Sequence, residues 1–90
     1  MSVLLITYEH SKAKPDSDPV RQVISKYKHV QLGNNSYAIE TYEATRTIYN
    51  KLNPFFTNSG QFFILTITKP FSGNGLEDVK NWLGKHLPQY

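Results

Sequence analysis

The 90 residues predict an α+β domain: a ferredoxin-like βαββαβ antiparallel sheet with an extra C-terminal helix. Three observations carry this reading. Val3-Leu4-Leu5-Ile6-Thr7-Tyr8 and Gln61 to Thr68 are strand-length runs of aliphatic, aromatic and β-branched residues. Three other segments repeat apolar residues at helical spacing. Between the first two of these, Gly33-Asn34-Asn35 joins two short strand-like runs in the manner of a hairpin turn.

Taken in order, strand one is Val3 to Tyr8. Its unbroken apolar character predicts burial on both faces, as in a central strand. It hands a carboxylate and an imidazole, Glu9 and His10, to the loop that follows. Ser11 to Ser17 reads as an exposed basic loop. Asp18 is a good N-cap and Pro19 suits the first helical position. Val20, Val23, Ile24 and Tyr27 then form one stripe of helix one. His29 to Leu32 and Ser36 to Glu40 are the hairpin strands, and the turn between them tolerates positive φ. Thr41 is placed to cap helix two, Tyr42 to Leu52, which Pro54 ends. After Gly60 comes the last strand. Helix three is expected to begin near Asn74, with Glu77 in a capping-box position and Leu76, Val79, Leu83 and Leu87 along one side. No repeat or low-complexity stretch divides the chain, so residues 1–90 are expected to form a single domain.

Composition narrows the function classes. Apolar residues are 39% and charged residues 19%, which is ordinary for a globular domain. The net charge of +3 permits a polyanionic partner without demanding one, because no stretch packs Lys or Arg densely. With no cysteine, disulfides and thiolate metal sites are excluded, and a reducing, cytoplasmic location is expected. No run has the length of a membrane span, and the early apolar strand lacks the flanks of a signal peptide. No membrane partner is therefore expected.

Three pieces carry a family resemblance: Leu5-Ile6-Thr7-Tyr8-Glu9, Ser36-Tyr37-Ala38-Ile39-Glu40-Thr41 and Asn81-Trp82-Leu83-Gly84-Lys85-His86-Leu87. Together they resemble small bacterial and phage proteins of the CRISPR-associated small-nuclease superfamily. The nearest look is to its stand-alone SinR-like members, with virulence-associated protein D in the same broad group. The resemblance implies a ferredoxin-like fold and a homodimer. It also implies that nuclease members hold a divalent metal on an Asp at the end of strand one, paired across the dimer axis. Glu9 stands at that position here, one methylene longer.

Glu9 and His10 are accordingly the candidate catalytic pair. Glu9 is the candidate ligand for Mg²⁺ or Mn²⁺, and His10 a neighbouring acid or base. The same two residues also fit a solvated strand end. Lys12, Lys14, Arg21, Lys26 and Lys28 are the candidate nucleic-acid contacts, as a strip that would meet phosphates. An ordinary solvated helix face also accounts for them, and better, because Asp16 and Asp18 interrupt the charge. Phe55 and Phe56, just beyond Pro54, are the candidate protein-contact residues.

Three functions follow. The first is a dimeric nucleic-acid-associated protein. The second is a metal-dependent endoribonuclease centred on Glu9. The third is a protein-binding module, such as a phage-borne inhibitor or an antitoxin-like partner, using exposed aromatics or a sheet edge. A phosphate loop, a structural zinc site and a serine-nucleophile elbow find no support in the residue spacing.

Overall fold

The computed structural model describes residues 1–9, 19–56 and 60–89. His10 to Asp18, including candidates His10, Lys12 and Lys14 and the expected cap Asp18, lie outside the described residues, as does Tyr90. The elements are β1 (Ser2–Glu9), α1 (Pro19–Ile24), β2 (Lys28–Gly33), β3 (Ser36–Thr41), α2 (Thr45–Leu52), β4 (Gln61–Ile67) and α3 (Glu77–His86). A short 3₁₀ helix, Asn53–Phe56, follows α2. The architecture is α+β, with one four-stranded sheet in the order β2-β3-β1-β4 and every pairing antiparallel.

The strand period of two decides what each face does. Leu4, Ile6 and Tyr8 of β1 share a face with Tyr37 and Ile39 of β3, through the pairs Leu4↔Ile39 and Ile6↔Tyr37. That face is covered by Val20 and Ile24 of α1 and by Ile48 and Leu52 of α2, which complete the main core. Val3 and Ala38 point the other way. They pack under Leu87, with Trp82 and Leu83 of α3 alongside. The sheet therefore lies between two helices on one side and one helix on the other. As expected, β1 is central. Its second face, however, is covered only at the Val3 end: Leu5 and Thr7 are half-exposed and Glu9 is exposed.

Helix boundaries differ from the sequence reading for local reasons. The Val20, Val23, Ile24 and Tyr27 stripe does face the core. But α1 proper ends at Ile24 and its last turn tightens: the Lys26 and Tyr27 amides donate to Val23 and Ile24, three residues back. Thr41 caps a turn rather than a helix, because its Oγ1 accepts the Glu43 N–H at 3.0 Å and α2 starts only at Thr45. Similarly, α3 begins at Glu77 with no side-chain cap, and Leu76 is left exposed instead of joining the apolar stripe. Glu77 and Asp78 in its first turn and Lys85 and His86 in its last complement the helix dipole. Gly60, at the entrance to β4, has φ of 85°, a conformation that excludes most side chains.

Candidate functional site

The end of β1 presents Glu9 on the solvent-facing side, in register with Gln61 of β4. Among the described residues, no group of three His, Cys, Asp or Glu side chains stands close enough to hold a metal ion.

The basic candidates Arg21, Lys26 and Lys28 are all exposed. They run from the outer side of α1 through the tightened turn onto the first residue of β2. Lys26 lines an open hollow together with Val23, Tyr27 and Lys51. Beneath it sits a three-membered ring of hydrogen bonds. Tyr27 Oη donates to Glu43 Oε1 at 2.5 Å, and Lys51 Nζ donates to Tyr27 Oη at 2.6 Å and to Glu43 Oε2 at 3.1 Å. The ring ties the exit of α1 to the β3–α2 connection and to α2. Its electrostatics are self-consistent. The hydrogen bond from Tyr27, then that from Lys51, holds the Glu43 carboxyl below its ordinary range. Burial, then the Glu43 hydrogen bond, raises Tyr27, and the Tyr27 bond raises Lys51.

Two described carboxylates near Lys26 and Lys28 are therefore occupied. Glu43 is held by Tyr27 and Lys51. Glu40, which stands across from Lys28, pairs with His86 Nδ1 at 3.1 Å. Among the described residues, neither Lys26 nor Lys28 forms an ion pair. Lys26 and Lys28 thus present positive charge outwards.

The aromatic candidates separate sharply. Phe56 is only 8% exposed: the 3₁₀ turn aims it into the main core, edge-on to Tyr8 at 5.9 Å and against Phe62 at 4.7 Å. The expectation that it forms an exposed contact with its neighbour is corrected accordingly, and Phe55, 39% exposed, remains. Tyr8 and Tyr37 are also core residues, whereas Tyr42 is exposed.

Two surfaces escape the sequence reading. One is a hollow of about 600 Å³ between the β2–β3 hairpin and the segment leading into α3, with Leu32, Phe71, Leu76, Val79 and Leu83 among its walls. The other is β4, whose outer-face residues Phe63 and Leu65 are 57% and 47% exposed. The period-two pattern of β4 was available to find the second, but which face α3 covers was not. No protein-family model matches the chain, and no curated protein or solved structure is significantly similar to it.

Proposed function

We propose that this chain is a small, dimeric nucleic-acid-binding protein of ferredoxin-like arrangement. One observation supports the reading above others. Arg21, Lys26 and Lys28 are all exposed along one strip, and among the described residues Lys26 and Lys28 form no ion pair, while Glu43 and Glu40 beside them are engaged by Tyr27, Lys51 and His86. Such a strip would meet a phosphate backbone without reading base identity. The ferredoxin-like assignment rests on the βαββαβ element order, and the superfamily kinship on the three short sequence pieces that resemble it.

The test is a titration of labelled single- and double-stranded RNA and DNA, with and without Mg²⁺, over a range of salt. If the five basic candidates each neutralise one phosphate, raising salt from 50 to 200 mM should weaken binding on the order of 500-fold. Salt-independent or absent binding removes the reading and moves the weight to a protein partner. Metal-dependent cleavage that disappears in Glu9→Gln would instead make Glu9 a catalytic metal ligand.

A further inference from the structure

The two edges of the sheet are built differently. On one edge β2 carries Lys28 and His29, and its pairing is irregular between Gln31 and Gly33. Charge and irregular register are the usual devices that stop an edge from recruiting another strand. The other edge, β4, has neither. Gln61-Phe62-Phe63-Ile64-Leu65-Thr66-Ile67 contains no charge and no proline, and pairs with β1 in unbroken register throughout.

Strand parity shows which backbone groups β4 leaves open. Tyr8 donates its N–H to Asn35, on the β3 side of β1. The odd-numbered residues of β1 therefore turn their backbone groups toward β4, since successive residues of a strand alternate sides. By the register Thr7↔Phe63 and Leu5↔Leu65, the odd residues of β4 answer them. Phe62, Ile64 and Thr66 are left with N–H and C=O directed away from the sheet. The space beside this edge is an open hollow walled by Arg46, Tyr49 and Phe62 among others, so α2 stands beside the edge without filling it.

We infer that the free edge of β4 pairs antiparallel with β4 of a second copy, about a two-fold axis at Ile64, giving a continuous eight-stranded sheet. The inference builds on the dimeric part of the proposed function. In this register Ile64 meets its own mate, Phe62 meets Thr66, and Phe63 meets Leu65. The outward groups form about six backbone hydrogen bonds. The exposed rings and aliphatic chains of Phe63 and Leu65 become cross-strand pairs. No like charges are brought face to face, because the strand has none. A second copy fits better than a foreign strand because the sequence is apolar on both sides of Ile64, so the strand complements itself. Association also closes. Both open edges are consumed, and the outer edges of the joined sheet are the two β2 strands, which are already blunted.

This arrangement separates the two Glu9 residues. They lie three strand spacings apart across the joined sheet and about six residues apart along it, a distance of about 25 Å. One cation, with ligands at about 2.0–2.6 Å, cannot be shared across that gap. The edge-paired dimer and a metal site made of two Glu9 side chains are therefore mutually exclusive.

The experiment uses nucleic-acid-free wild-type protein. Sedimentation equilibrium should give twice the 10.4 kDa of one chain. Amide exchange by NMR should show the Phe62, Ile64 and Thr66 N–H groups slowed roughly 10- to 15-fold when the protein is at about 100 times its dissociation constant, where about 7% of chains remain monomeric. Dilution should release all three together. A monomer at every concentration overturns both the dimeric reading and the edge pairing. A dimer in which those three amides exchange freely overturns the edge pairing alone. As a second check, Phe63→Glu with Leu65→Glu places carboxylates opposite one another across the axis and should yield monomer. Phe63→Lys with Leu65→Glu places opposite charges there and should restore the dimer. If both variants stay dimeric, the contact lies elsewhere on the molecule and the inference fails.

Discussion

Leu87→Ala and Leu52→Ala remove the same atoms from the two sides of one sheet, and they should not cost the same. Leu52 is 0% exposed and lies in the main core, walled by α1, α2 and the strands. Leu87 is 4% exposed but sits in a small cluster with Val3 and Ala38, under an α3 that itself contains no fully buried residue. Three carbons leave in each case, which is about 2.4 kcal/mol of transfer free energy at about 0.8 per methylene. The cavity term then separates them. The Leu52 site is enclosed and cannot collapse, so its total should approach about 4 kcal/mol. Half-exposed Trp82 and Leu83 can settle into the Leu87 site, so its total should stay near about 2.5 kcal/mol. Urea unfolding followed by circular dichroism supplies both values. Amide exchange adds where the loss falls: Leu87→Ala should release α3 while β1 and β3 keep their protection. Equal costs, or loss of β1 protection in parallel with α3, would show that α3 is an integral part of the core and refute the two-sided account.

Other outcomes follow from the same structure. Because the folded-state pKa of Glu43 is lowered from 4.5, its contribution is present above that value and fades as pH falls through the lowered one. Tyr27 and Lys51 are raised from 10.0 and 10.5, so their contributions are present below those values and are lost as pH climbs through the raised ones. Tyr27→Phe should therefore flatten the stability–pH profile at both its acid and its alkaline limb; an unchanged profile would mean that the ring of hydrogen bonds does not form in solution. Lys26→Glu with Lys28→Glu should reduce the slope of log affinity against log salt by about 2, uniformly across nucleic-acid sequences. A slope that keeps its wild-type value would place the phosphate contacts on another face. Gly60→Ala should cost about 1 kcal/mol, because φ of 85° is closed to most L side chains, and a neutral result in thermal melts would contradict that backbone geometry.

The strands are legible in the sequence because their signal is local: β1 and β4 are continuous runs of strand-forming residues, and the Asn34-Asn35 turn marks the hairpin. Helix ends are less so, because competing hydrogen bonds decide them. Thr41 looks like a helix cap until its hydroxyl is seen spent on the Glu43 amide. Phe55 and Phe56 are chemically identical neighbours, and only the rotation of the 3₁₀ turn makes one of them core. The candidate site shows the same division. The exposure of Arg21 follows from helical periodicity, whereas Lys28 is exposed as the first residue of the edge strand β2. That Glu43 is occupied depends on Tyr27 and Lys51, which the fold brings together with it across separations of 8 to 24 residues that no spacing rule connects.

Placing β1 in the centre of the sheet has a kinetic consequence. Its two partners are strands 36–41 and 61–67, so its register exists only after distant parts of the chain have found it. Few of the sheet's contacts are local beyond the β2–β3 hairpin. High contact order of this kind belongs with folding in milliseconds to seconds rather than microseconds. During translation β1 must wait, apolar and unpaired, until β4 has left the ribosome. A pause placed before Gly60 would lengthen that wait, and with it the interval in which the strand is open to chaperones or to misassembly.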